Sequence, residues 1–252
     1  MKTIKKTLNT DQTVNLYIFG DEHIGDPNCD IMYLAERIEQ VNSDPNAVWI
    51  GVGDMLNNAT IQSVSDTYAE IMSPMQELNL AIDMLKPIKD KCIGFSSGNH
   101  EDRTYKTDGI DLSQIVAREL DAPYFDSSAV IFLRFGETNR GRPICYSIFA
   151  RHGSGGGSSM GGKANKLKKN SEIVDADLYI QGHTHSPITY KEDFYRLSYP
   201  NSSVDKVTRT FVNIGSSLNY GGYGAKFGFA PSTKVHPIVH LNPHVKDIKV
   251  TI

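Results

Sequence analysis

The sequence predicts a mixed α/β protein in which two sheets lie face to face beneath outer helices. Three observations carry that reading. Short apolar runs rich in β-branched and aromatic residues (14–19, 47–52, 92–96) alternate in the first half with stretches of helical spacing. From Ile188 onward only strand-like runs follow one another. An Asp, Asn or His with metal-ligand chemistry stands just beyond nearly every strand of the first two thirds of the chain.

Each element has a local cause. Residues 14–19 end at Gly20-Asp21, a buried strand delivering Asp21 to a loop. Asp30 caps a helix whose Ile31, Leu34, Ala35, Ile38 and Val41 keep one face apolar. Asp44-Pro45-Asn46 stops it, and the next strand ends at Asp54, a right-handed crossover unit with parallel strands. Ser73-Pro74-Met75-Gln76 joins a capping box to proline at the first helical position, followed by Leu78, Ile82 and Leu85. The strand at 92–96 leads into Gly98-Asn99-His100-Glu101, and Asp111 with Gln114 opens a further helix. After Pro123, residues 129–135 and 144–150 read as a hairpin joined through 136–143, its second strand ending at His152. A glycine- and serine-rich loop, a short lysine-rich segment and a strand at 177–181 ending at Gly182-His183 follow. Later strands are expected around Phe194 and over 207–214, 235–241 and 248–252, with no internal repeat and no domain linker, so residues 1–252 are expected to form one domain.

Composition narrows the function. The chain has 252 residues, 39% of them hydrophobic, and a net charge of −3, so no global field recruits nucleic acid or membrane. Cys29, Cys92 and Cys145 are scattered and odd in number, against a disulfide framework or a thiolate zinc site. No apolar run is long enough to span a bilayer, and no signal peptide is visible behind the lysines of the start, so a cytoplasmic protein is expected.

In open α/β sheets functional loops gather beyond the carboxyl ends of the strands, which brings Asp21, His23, Asp54, Asn99, His100, His152, His183 and His185 around one crevice. Carboxylate, imidazole and amide oxygen together suit borderline divalent ions, Mn²⁺ first, with Fe²⁺, Zn²⁺ or Ni²⁺ as alternatives. The ligand count exceeds one tetrahedral ion and suits two ions about 3.5–4 Å apart sharing a carboxylate, which activate a water as hydroxide for attack on phosphorus.

The set Asp21-Glu22-His23-Ile24-Gly25, Gly53-Asp54, Gly98-Asn99-His100-Glu101, His152-Gly153 and Gly182-His183-Thr184-His185 resembles the calcineurin-like metallophosphoesterases, with all five motifs in order. The resemblance implies a four-layer α/β/β/α fold, two mixed sheets flanked by helices, and a phosphoester hydrolase site. It implies that Asp21, His23 and His185 hold one metal, that Asp54 bridges, and that Asn99, His152 and His183 hold the other. His100 is then catalytic without ligating metal, acting on the transition state or the leaving oxygen. Glu101 fixes His100. The reading is a phosphodiesterase of a nucleotide, cyclic nucleotide or nucleic acid. The alternatives are a phosphomonoesterase or, because some relatives lose catalysis, a binding scaffold. The scaffold is disfavoured because every ligand position is filled.

Neighbouring features are weighed against it. Residues 157–163 nearly match a phosphate-cradling P-loop, but Ala164 stands where Ser or Thr would ligate Mg²⁺, so an NTPase is a poor second and a loop beside the metals is expected. Lys163, Lys166, Lys168 and Lys169 read first as a solvated helix face and second as a phosphate contact. Arg103 and Tyr105 are the candidates for binding substrate, and Asn57 for orienting a ligand or the water. His236, His240 and His244 read as ordinary core or surface histidines, and residues 215–224 as glycine-rich turns.

Overall fold

The computed structural model describes residues 1–61, 63, 67–136, 143–157 and 159–252. Its elements run β1 (Lys2–Leu8), β2 (Val14–Phe19), α1 (Ile31–Ser43), β3 (Ala47–Val52), α2 (Pro74–Leu85), a 3-10 turn (Lys86–Lys91), β4 (Cys92–Ser96), α3 (Glu101–Asp108), α4 (Leu112–Glu119) and β5 (Tyr124–Phe125). Then come β6 (Ser128–Phe135), β7 (Cys145–Arg151), α5 (Met160–Lys168), α6 (Asn170–Ile173), β8 (Leu178–Gln181), β9 (Ile188–Ser198), β10 (Ser203–Asn213), α7 (Gly222–Lys226), β11 (Ile238–Leu241) and β12 (Ile248–Thr251).

The strands form two six-stranded mixed sheets, ordered β12-β11-β2-β3-β4-β5 and β1-β6-β7-β8-β10-β9. Ile18, Ile50 and Ile93 of the first sheet interdigitate with Ile131, Ile148 and Ile180 of the second in one buried cluster. A second cluster joins the outer face of the first sheet, through Phe19 and Trp49, to Leu34 of α1, Leu78 of α2 and Val116 of α4. A third seats Leu167 of α5 on Phe149, Tyr179 and Phe211 of the second sheet. The layers are therefore α/β/β/α, as expected.

The local signals act as read. Asp30 accepts from the Tyr33 amide at 3.1 Å, Gln76 accepts from the Ser73 amide at 2.9 Å, and Asp111 accepts from the Gln114 amide at 2.9 Å. Strands β2, β3 and β4 run parallel, as do β7 and β8, so each set sends its carboxyl ends one way. The hairpin β6–β7 is antiparallel in register, while 137–142 of its expected connection lie outside the described residues.

Several elements depart from the sequence reading, among them the short helix α7 in the stretch after Ile188, where only strands are expected. The lysine-rich start is a strand, β1, parallel to β6, with Ile4 turned into the core. The short helix α3 follows His100 directly, and β9 and β10 pair over 11 residues each as a long antiparallel hairpin. Among the described residues no helix is long and apolar enough to cross a membrane.

Candidate metal centre

The carboxyl ends of β2, β3 and β4 in one sheet and of β7 and β8 in the other open onto one cleft. Asp21, His23, Asp54, His183 and His185 all sit at left-handed φ, between 49° and 69°. Asp and His tolerate that region better than most side chains, yet each costs on the order of 1–3 kcal/mol, and such backbone gathers where function needs it. The glycines beside them are steric necessities. A Cβ on Gly98 would stand 2.2 Å from Asp54 Oδ1, and one on Gly53 would stand 2.6 Å from the Gly98 nitrogen. The β3 and β4 loops touch backbone to backbone because both positions lack a side chain.

The expected ligands converge. Among the described residues three groups place one ligand atom each within 4.8 Å of the others: Asp21, His23 and His185; His23, Asp54 and His100; and Asp54, His152 and His183. His23 Nε2 faces His185 Nε2 at 3.0 Å. Asn99 Oδ1 lies 2.7 Å from His183 Nδ1 and 3.0 Å from His152 Nε2, and Asp54 Oδ2 lies 3.2 Å from His152 Nε2. Ligands about 2.1 Å from one ion are about 3.0 Å apart at right angles and about 3.4 Å apart at the tetrahedral angle. The spacings of 3.0 and 3.2 Å fall within those edges, the 2.7 Å one is shorter, and His185 Nε2 to Asp21 Oδ1, at 3.8 Å, is longer.

Protonation states bear on the fit. Among the described residues His23 Nδ1 is buried without a hydrogen-bond partner. Burial first, then the neighbouring imidazoles, hold His23 well below its ordinary pKa. They lower His183 to about 4 and His185 to about 3, so these rings are neutral and able to ligate. Burial also pulls His152 down, but Asp54 and Asp21 outweigh it and carry that imidazole up to about 10. Burial pushes Asp54 up, and His152, His100 and His23 together bring it well below the carboxylate range. In Asp21 burial wins over His152 and leaves the carboxyl raised. A divalent ion among these groups would take the place of the protons that His152 and Asp21 hold, so the set fits divalent ions.

Surrounding contacts set the directions. His152 Nδ1 lies 2.8 Å from the Val52 carbonyl and His100 Nδ1 lies 2.7 Å from the Asn57 carbonyl, so both turn Nε2 to the cleft. Asp21 accepts from the His183 amide at 2.8 Å, and Asp54 Oδ1 from the His100 amide at 2.9 Å. Among the described residues Glu101 makes no hydrogen bond to the His100 ring, so any hold on His100 is through the backbone. Its carboxylate accepts the backbone N–H groups of Asp54 (3.1 Å), Leu56 (2.9 Å) and Gly98 (2.9 Å). The first turn of α3 points Glu101 under the β3 loop, and His100 is held by Asn57 instead.

The cleft has a volume of about 800 Å³. Arg103 lines it, donating to the Asn57 carbonyl at 3.0 Å, whereas Tyr105 stands 57% exposed outside the lining. The two are related by half a helical turn, so α3 cannot present both to the site. Asn57 lines the cleft, with its amide nitrogen donating to Glu70 at 2.8 Å. Of the four lysines only Lys163 lines the cleft, donating to Ser186 Oγ at 2.5 Å; Lys166 reaches the Gly156 carbonyl and Lys168 pairs with Glu192 at 2.8 Å. Glycines 155–157 line it too, while Ser158 of the near P-loop match lies outside the described residues. His236, His240 and His244 bond to Gly20, Asn15 and Asp11, in the core and at the surface as read.

Residues 215–224 do not act only as turns. Leu218, Asn219, Tyr220 and Gly221 form a wall of the cleft, continued by Phe229. The available signal was two large aromatics within a glycine-rich stretch.

Fold and site together define an α/β sandwich protein with a cluster of Asp and His side chains that could hold metal at the carboxyl ends of strands from both sheets. No family model matches the chain, and no curated protein matches its sequence. Solved structures to which it is similar include a conserved uncharacterized protein of Streptococcus pneumoniae TIGR4, described as a predicted phosphoesterase (12% identity, 95% of this chain and 89% of that one, TM-score 0.40). A Vps29 double mutant from Entamoeba histolytica (12% identity, 94% and 97%, TM-score 0.42) is another. So is a hypothetical protein from Pyrococcus horikoshii OT3 (11% identity, 94% and 87%, TM-score 0.41). These likenesses are loose, and the site stands on its own geometry.

Proposed function

We propose that the protein is a metal-dependent phosphoester hydrolase acting on phosphodiesters of nucleotide or nucleic-acid type. The observation that carries the reading is that Asp21, His23 and His185 form one ligand group and Asp54, His152 and His183 another in the same cleft, with His23 of the first also within ligand distance of Asp54. Asp21, His23 and His185 hold one divalent ion and Asn99, His152 and His183 the other, with Asp54 reaching both. Mn²⁺ is the first choice for this mixed oxygen and imidazole set. Bound there, the pair supplies an activated water and neutralises phosphoryl charge.

The chain's own residues do the rest. His100, its Nδ1 tied to Asn57, turns Nε2 toward the reacting centre 3.8 Å from Asp54 Oδ2, placed to protonate the departing oxygen. Arg103 and Lys163 bring positive charge to the cleft for non-bridging phosphate oxygens. A cleft of about 800 Å³ takes a phosphate with substituents on both sides, which favours diesters over monoesters.

The test is a panel of mono-, di- and cyclic phosphoesters assayed with Mn²⁺, Zn²⁺ and Mg²⁺. Mn²⁺-dependent hydrolysis of bis(p-nitrophenyl) phosphate and of nucleotide diesters, faster than of monoesters, is the expected result. Inactivity toward every ester with every ion overturns the reading.

A further inference from the structure

The candidate metal-holding side chains form one part of the cleft lining, and residues of 218–232 form a second wall with a different chemistry. Resting on the phosphodiesterase reading, we infer that this second wall is a nucleobase subsite: Tyr220 and Phe229 hold the base, and Asp26 with Asn219 meets its polar edge.

Tyr220 and Phe229 are 57% and 56% exposed, yet both line the cleft, with Leu218 beside them. Aromatic side chains lining a cleft supply ring surface on which any base can stack.

The charges are segregated. Arg103 is fixed on Asn57 beside His100, and Lys163 on Ser186 just past His185. Among the described lining residues of 218–232 none is basic. Two charged groups flank that wall: Asp26, which accepts from the Asn28 amide at 2.7 Å while the Asn28 carbonyl accepts from the Asn219 amide at 2.8 Å, and Lys234, which donates to Asn219 Oδ1 at 2.9 Å and whose charge is offset by its ion pair with Asp30. A carboxylate there repels phosphate and accepts hydrogen bonds from an exocyclic amino group. The phosphate end and the base end of a nucleotide therefore have separate seats.

The two seats are held at a fixed spacing. The Ser217 amide and the Ser216 hydroxyl donate to the Asp21 carbonyl at 3.1 and 2.8 Å, and the Asp30 amide donates to the Ser217 carbonyl at 2.9 Å. The base wall thus grows directly from the loop that supplies a metal ligand. A base whose amino group can reach Asp26, as in adenine, is the preferred occupant.

The experiment is calorimetric titration of the Mn²⁺-loaded protein with adenosine 5′-monophosphate and with ribose 5-phosphate, which differ only in the base. The wild type should bind the nucleotide tighter by on the order of tenfold or more. Tyr220→Ala and Phe229→Ala should each reduce that ratio severalfold and leave ribose 5-phosphate binding unchanged; Tyr220→Phe and Phe229→Tyr should keep the ratio. Equal binding of the two ligands by wild type overturns the subsite, as does equal weakening of both ligands in the alanine variants. Hydrolysis is not read here. A preserved nucleotide preference with no esterase activity removes the hydrolase reading alone, and intact diesterase activity with no preference removes the subsite alone.

Discussion

The carboxylate of Glu101 binds the backbone of Asp54, not its side chain. It accepts the Asp54 amide at 3.1 Å together with those of Leu56 and Gly98, and so clamps the β3 loop to the β4 loop. Asp54 Oδ1 accepts from the amide of His100, the residue before Glu101. Two consecutive residues of one motif therefore hold Asp54 from opposite sides.

Glu101→Gln turns an amide donor toward backbone donors and removes part of this clamp. Leaving a buried donor without an acceptor costs about 1–3 kcal/mol, and disturbing such a support weakens metal binding about 10–100-fold. Thermal melting and Mn²⁺ titration of the variant check both numbers. Unchanged metal affinity would mean that the clamp is structural only.

His100 and Asp54 should separate chemistry from metal binding. His100→Ala is expected to lower turnover about 10²–10⁴-fold while metal content stays nearly unchanged. Asp54→Ala should strip metal, because Asp54 completes the group with His152 and His183 and lies within ligand distance of His23 in the other. Elemental analysis beside steady-state rates distinguishes them: metal lost with His100, or a two-ion stoichiometry retained without Asp54, refutes the assigned roles.

Lys163→Ala removes a cation from the cleft wall without touching a ligand group. A screened phosphate contact predicts a KM rise of about 3–10-fold at low salt that shrinks as salt increases, with kcat little altered. A fall in kcat alone would contradict a binding role.

Glu77 sets a pH dependence away from the ligands. It is fully buried, Oε2 accepts from the Asn58 amide at 2.7 Å, and Oε1 has no hydrogen-bond partner among the described residues. Burial, reinforced by Glu70 and Glu101, raises it from 4.5 to about 8. The folded protein then binds more protons than the unfolded chain between those values, so this group makes stability fall as pH rises from about 4.5 to about 8. Glu77→Gln should raise Tm relative to wild type at pH 8 and lose that advantage near pH 4.5. A Tm difference independent of pH would show that Glu77 is ionised in the folded protein.

The sequence by itself determined the strands at 14–19, 47–52 and 92–96, the caps at Asp30, Ser73 and Asp111, and which side chains stand just beyond each strand. Those features are local: periodicity of 2 or 3.6, a capping oxygen, a proline, a glycine where two backbones touch. Residue type carried the ligand set as well, since Asp and His are the side chains that both ligate metal and tolerate left-handed backbone. Tertiary packing alone decided the rest. The partners of Glu101 lie 3 to 47 residues away. The wall bearing Tyr220 reaches the Asp21 loop across 195 residues of chain through Ser216. The β1 strand gains its place only from pairing with β6 at the edge of a sheet, since it turns little more than Ile4 inward and has no strong pattern of its own. Tyr105 and Arg103 are near neighbours in sequence, yet the turn of α3 sends one to solvent and the other to the cleft. Contacts of that kind depend on which faces the two sheets bury against each other, and no short window of sequence holds that information.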